Sequence, residues 1–320
     1  MPVIRSTRIL VTTCTDPHRN LALEEALLLS LPQDQAVLYL WQNRHTVVIG
    51  AGQNAFAECR IDLLKAEGGT LARRSSGGGA VYHDMGNLNF SFLVPKADYD
   101  VARQLKVILE AVRALGVDAV ASGRNDLTAD GRKFSGNAFR VLKDGALHHG
   151  TLLVNVDMGL IGRYLNVSKD KLEAKGVKSV PARVVNLSEL SPAVTVDSMA
   201  QAVIDAFQQE YGAAPVESAG DLPIDDALFG RYKSDAWNYG KPPEGGLTLA
   251  TRFPWGGVEL NASVTGGALT NVAVFTDAMD ETLSERLASS LEGCPYSGAR
   301  LAECARSLDL SDLGDWLENL

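Results

Sequence analysis

Residues 73–92 read RRSSGGGAVYHDMGNLNFSF. Three successive glycines, Gly77, Gly78 and Gly79, stand between a strand-like run from Thr70 and a second one carrying AVYHD and NLNFSF. Ordering consecutive glycines is costly, because glycine loses the most backbone freedom on folding. A dinucleotide-binding glycine motif closes a strand and opens a helix. Here a strand pattern follows instead, and the P-loop pattern GxxxxGK[ST] is absent. A glycine loop between strands still lines up free N–H groups, which form an anion-binding concavity. The adjacent Arg73 and Arg74 add planar, permanently charged donors suited to phosphate or carboxylate. The competing reading is a tight turn or bulge that needs glycine for backbone reasons alone.

The other signals argue for an α+β fold. Asp16-Pro17 reads as a helix start, and LALEEALLLSL follows up to Pro32. AVLYLW and TVVIGAG look like two short strands with a tight connection at QNRH. ECRIDLLKAEGG reads as a short helix ending on Gly68-Gly69, and DYDVARQLKVILEAVRALG as a longer one stopped at Gly116. Asp130-Gly131 and Asp144-Gly145 mark two hairpins around RKFSGNAFRV. VDSMAQAVIDAFQQEYG is a further amphipathic helix. Beyond the linker-like KPPEGG, the runs GVELNASV and LTNVAVFT alternate about Gly266-Gly267, with helical segments from Glu281 and Ala299. The expectation is a large mixed, mainly antiparallel sheet domain with helices, residues 1–245, and a small α+β unit, residues 246–320.

With 320 residues, 46% of them hydrophobic, the chain is long enough for a substantial core. Its net charge of −9 gives no global attraction to nucleic acid or anionic lipid, so any positive site must be local. No apolar run approaches the roughly 20 residues that span a bilayer, and MPVIRSTRIL has no apolar core of signal-peptide length. The four cysteines, Cys14, Cys59, Cys294 and Cys304, form no CxxC pair and fit no zinc spacing. They read as reduced thiols, and the protein as cytoplasmic.

A second constellation, GRNDLTADGRKFSGNAFR at 123–140, gathers Arg124, Asn125, Asp126, Arg132, Lys133 and Arg140. A reaction joining a carboxylate to a phosphate must overcome repulsion of about 4 kcal/mol between unit charges 4 Å apart at an effective dielectric of 20. One ammonium touching both partners removes most of that cost and aligns the attack. The plainer reading is a solvated basic hairpin. Asp126 is suited either to Mg²⁺ or to an arginine, and spacing does not separate the two. His148 and His149 begin a strand, so their rings point to opposite faces and at most one meets a site. His83, directly after the glycine loop, is closer to any ligand there. No GxSxG elbow is present and no Ser/His/Asp triad can be assembled from spacing.

RRSSGGGAVYHDMGN, GRNDL, GRKFSGNAFR, HHGTLLVN and YLNVSKDKLEAKGVKSVPARVVNLSEL together resemble the lipoate–protein ligase A family of the bacterial two-domain type. The similarity runs from NLALEEAL through WGGVEL to the C-terminus. The resemblance implies a fold shared with biotin protein ligases and octanoyltransferases, and a two-step reaction. Lipoate and ATP, with Mg²⁺, give lipoyl-adenylate and pyrophosphate. The lipoyl group then passes to a lysine on a lipoyl domain of a 2-oxo-acid dehydrogenase E2 subunit or on the glycine-cleavage H protein. The resemblance puts Arg74 on ATP phosphate, and Gly79, Ala80, Val81 and Tyr82 along the adenylate through their backbone. Lys133 becomes the lysine touching both the lipoyl carbonyl and the α-phosphate. Ser75, Ser76, Gly77 and Gly78 fall in the loop around the lipoyl chain, with His83 and His149 nearby. Residues 175–183, with Lys175, Lys178 and Arg183 as phosphate partners and Gly176 as a hinge, match a loop that closes over the adenylate. The apolar runs Val47-Val48-Ile49 and Leu152-Leu153-Val154 are candidate walls for the lipoyl chain. The alternative on the same fold is acyl transfer without ATP, octanoyl or lipoyl.

Overall fold

The computed structural model describes residues 4–122, 125–166, 184–240 and 246–320. Its strands are β1 (Ser6–Val11), β2 (Gln35–Trp41), β3 (Thr46–Ile49), β4 (Thr70–Arg73), β5 (Val81–His83), β6 (Asn87–Pro95), β7 (Ala119–Ser122), β8 (Asp126–Ala129), β9 (Arg132–Val141), β10 (Gly145–Leu153), β11 (Val216–Ser218), β12 (Leu247–Phe253), β13 (Gly256–Thr265) and β14 (Ala268–Thr276). Eight of them form one sheet in the order β11-β1-β2-β6-β10-β9-β8-β7. The β11-β1-β2 edge is parallel and the remaining pairs are antiparallel. The fold is therefore α+β with a large, mainly antiparallel sheet, as the hairpin signals indicate.

The large sheet is buried on both faces. Along β2, Leu38 and Leu40 join one core with Phe90, Phe92 and the helices Val101–Ala114 and Val196–Tyr211. Val37, Tyr39 and Trp41 face the other way, against Leu21 and Leu28 of the helix Pro17–Leu29. That helix starts as its sequence dictates: Asp16 accepts from the His18 amide at 2.9 Å and Pro17 takes the first turn. A second sheet, β4-β3-β5, packs on this side and carries the glycine loop between β4 and β5.

The two strands flanking QNRH do not pair with each other. β2 lies between β1 and β6, and β3 between β4 and β5, so the connection crosses from one sheet to another. Positive φ at Asp130 (50°) and Gly131 (70°) shapes the β8–β9 turn, and Gly266 (60°) and Gly267 (82°) do the same between β13 and β14. β12-β13-β14 and the helices Leu283–Leu291, Gly298–Arg306 and Ser311–Glu318 close around a core of their own, including Leu260, Leu287, Leu301 and Leu317. Among the described residues no helix is long and apolar enough to cross a membrane.

Candidate active site

The glycine loop, β5, the face of β2-β6-β10-β9 and the helix Pro17–Leu29 enclose a cavity. Register places Trp41 opposite Asn89 and Asn89 opposite Thr151, so these three form a row across the floor. Leu21, Val48 and Val81 add apolar wall. Of the two apolar runs proposed as walls, only Val48 lines the cavity; Val47, Ile49, Leu152, Leu153 and Val154 are sheet core.

Lys133 enters from β9. A register shift opposite Leu127 and Thr128 interrupts the β8–β9 ladder beside it, and such bulges re-aim side chains. Its ammonium lies 2.7 Å from Asp126. Among the described residues Asp126 is therefore the carboxylate that holds the lysine. Gly136 leaves the room, since a Cβ there would stand 2.9 Å from Lys133 Nζ. Val185 N donates to the Lys133 carbonyl at 2.9 Å, so the chain leaving the 175–183 segment passes the same strand position. Among the described residues no group of three His, Cys, Asp or Glu side chains could hold a metal ion.

The two arginines have different tasks. Arg73 is 6% exposed and donates to the carbonyls of Gly50, Ala51, Gln53, Trp237 and Asn238. It ties the chain together and does not line the cavity, contrary to its reading as an anion donor. Arg74 lines the cavity and holds the loop by donating to the carbonyls of Gly77 (2.7 Å) and Gly79 (2.8 Å). Burial lowers both guanidinium pKa values to about 10, which leaves them charged at neutral pH.

A chain of hydrogen bonds runs beneath the cavity. Arg74 Nε donates to Ser76 Oγ at 3.1 Å, and Ser76 Oγ meets His149 Nε2 at 2.7 Å. His149 Nδ1 meets both Glu24 oxygens at 2.9 Å. Ser91 donates to Glu24, and Trp41 Nε1 donates to Ser91 at 3.0 Å. Every group is satisfied when Ser76 donates to His149 Nε2 and His149 Nδ1–H donates to Glu24. The order Ser-His-Glu looks like a hydrolytic triad, but Ser76 is fully buried and outside the cavity lining, so it holds the loop. His148 points to the opposite face, to Gln104 and Asn137, and burial pushes its pKa down to about 3.

Of the residues singled out from sequence, Arg74, Gly78, Gly79, Ala80, Val81, His83, Lys133 and His149 line one cavity. Ser76, Gly77 and Asp126 stand one bond behind it. The Tyr82 ring turns away, against His45 and Tyr164. Arg124, Lys175, Gly176, Lys178 and Arg183 lie outside the described residues. Sequence reasoning missed Glu24, Trp41, Asn89 and Asn137. The available signals were two glutamates inside the apolar run LALEEALLL and the alternating asparagines of NLNFSF.

The small C-terminal unit touches the same loop. Gly78 N donates to the Ala278 carbonyl at 2.9 Å, Thr276 N donates to the Gly52 carbonyl at 2.8 Å, and Asn125 Nδ2 lies 3.9 Å from Met279 Sδ.

Residues 16–208 match the lipoyl protein ligase A/B catalytic domain, and residues 243–317 match the bacterial lipoate protein ligase C-terminus. LipL1 of P. falciparum, solved in complex with lipoate, is 29% identical, with a TM-score of 0.87 over 98% of this chain and all of that one. A bipartite lipoate protein ligase of Thermoplasma acidophilum, studied with its E2 lipoyl domain, is 29% identical over 76% of this chain and 99% of its own, with a TM-score of 0.64. A lipoate-protein ligase A bound with ATP is 28% identical over 73% of this chain and 99% of its own, with a TM-score of 0.62. With its glycine loop facing a lysine across an apolar pocket, and more than half its length matched by the catalytic-domain family, this chain belongs to the lipoate-protein ligase family.

Proposed function

We propose that the protein joins lipoate to AMP and then to protein. A lipoate carboxylate oxygen attacks the α-phosphorus of ATP, and pyrophosphate leaves. A lysine amine of a lipoyl domain then attacks the lipoyl carbonyl, AMP leaves, and the amine loses a proton. The observation that carries this reading is Lys133 in the same cavity as the loop amides and the apolar surface of Leu21, Trp41 and Val48. One cation can neutralise both acids, while the apolar surface takes the acyl chain. Support comes from the relatives solved with lipoate and with ATP and from the one studied together with its E2 lipoyl domain. Asp126 is the carboxylate that would hold a Mg²⁺ accompanying the ATP phosphates, where the metal would supply further positive charge, and Lys133, now paired with Asp126, would turn to the lipoate carboxylate and the α-phosphate.

The mixed anhydride hydrolyses unless water is excluded. Lipoyl domains of E2 subunits and the H protein are the proposed acceptors, and the cytoplasm the proposed compartment. Transfer without ATP is less favoured: no cysteine lines the cavity, and the buried Cys59 thiol is pushed up to about 12. Incubating the protein with ATP, Mg²⁺, lipoate and a lipoyl domain, then weighing the domain, tests the proposal. A lipoyl mass gain with stoichiometric pyrophosphate is expected. Acyl transfer from a carrier with no ATP consumed would favour the other route.

A further inference from the structure

Two polar groups in the cavity wall have no partner among the described residues. His83 is 2% exposed and its Nε2 is unpaired; Asn89 is 2% exposed and its Nδ2 is unpaired. Both residues line the cavity, beside Trp41, whose ring meets that of His83 edge-on at 6.3 Å.

Neighbouring bonds determine which His83 nitrogen carries the proton. Asn20 Nδ2 donates to the carbonyls of Cys14 (3.0 Å) and Gln42 (2.9 Å), which fixes that amide. It also donates to Asn43 Oδ1 at 3.1 Å, which fixes the next one. Asn43 Nδ2 therefore faces His83 Nδ1, at 3.2 Å, and donates to it. Nδ1 is the acceptor, so a neutral His83 carries its hydrogen on Nε2, and burial with Arg74 nearby keeps the ring neutral. On the other side, Asn87 Nδ2 donates to Asn89 Oδ1 at 2.9 Å, with Asn87 Oδ1 and Asn89 Nδ2 both unmet among the described residues.

These donors sit away from Lys133. Asn89 is on β6 and Lys133 on β9, with β10 between them. Two interstrand spacings are roughly 10 Å, a span that an extended medium-length acyl chain covers. With the carboxylate at Lys133, the far end of the chain arrives at His83 and Asn89. A methyl terminus leaves both N–H groups unmet once water is expelled, and buried unmet donors are costly. A ring containing a disulfide brings sulfur lone pairs, which are weak acceptors.

We propose that His83 and Asn89 are specificity-determining residues that favour an acyl chain ending in a cyclic disulfide over a methyl-terminated chain of equal length. The inference rests on the adenylation reading above. The test measures kcat/KM for pyrophosphate release with lipoate and with octanoate, in the wild type, His83→Phe and Asn89→Leu. In each variant the lipoate-to-octanoate ratio should fall about tenfold, the weight of one weak hydrogen bond, with lipoate losing and octanoate gaining. A ratio that stays constant, or equal losses for both acids, would overturn the inference while leaving adenylation intact. If the wild type releases pyrophosphate with neither acid, the adenylation reading itself fails. Octanoate turnover by each variant shows that it is folded.

Discussion

Lys133 sits 2.7 Å from Asp126, in space that Gly136 leaves open. Its side chain is 35% exposed and no core depends on it. Lys133→Ala should therefore keep the fold and lower lipoate-dependent pyrophosphate release by about 10²–10³, the usual cost of losing one group that stabilises developing charge. Near-normal release by a folded variant would remove the bridging role. Gly136→Ala probes the same point from the other side, because the added methyl meets the far end of a flexible side chain. The lysine tip yields, so stability should change little while adenylation falls at least tenfold; unchanged adenylation would mean that the tip position is unimportant. Lysine and glycine loop were legible in the sequence because each is a local pattern. Glu24 was not, since its partners Ser91 and His149 lie 67 and 125 residues away and nothing near it announces them.

Elements differ in the same way. The β8–β9 and β13–β14 hairpins could be read from dipeptides, since a two-residue turn is fixed by its own residues. The separation of β2 from β3 could not, because it depends on pairing with β1, β6, β4 and β5, which no local signal states. Gly131 has φ 70°, and a Cβ added there would meet nothing within 4 Å, so a substitution isolates the turn's own contribution. Gly131→Ala should cost about 1–2 kcal/mol of stability by urea unfolding, the penalty for a left-handed residue with a Cβ; no loss would mean that the turn relaxes elsewhere. The paired strand β10 gives a pH test. Burial, then the neighbouring His149 ring, pushes His148 down to about 3, while the unfolded chain binds that proton near 6.5. Stability from this group is complete above pH 6.5 and is lost as pH falls towards 3, at up to about 1.4 kcal/mol per pH unit. In His148→Gln the urea midpoint should depend less on pH between 4 and 6. An identical slope would place the protonation elsewhere.

At the scale of the molecule, the question is how the C-terminal unit bears on the glycine loop. Gly78 N, one of the loop donors suited to an anion, donates to the Ala278 carbonyl. An anion that claimed this amide would compete with the docking of residues 276–279, which would couple loop and unit. We propose that residues 246–320 act as a separately folding unit that shifts when the loop is occupied. Gly77 gives the means of testing this without touching the unit's own core. A Cβ there would stand 2.5 Å from the carbonyl oxygens of both Ala278 and Met279. Backbone atoms at that distance must move, and the bond from Gly78 N is the nearest one to break. Gly77→Ala should therefore speed amide exchange at Gly78 and Thr276 by tenfold or more, while exchange in the helices Leu283–Leu291 and Gly298–Arg306 stays slow. Exchange accelerating throughout 246–320 would mean that the unit does not hold its fold alone, and exchange unchanged at both amides would mean that the loop does not control its docking.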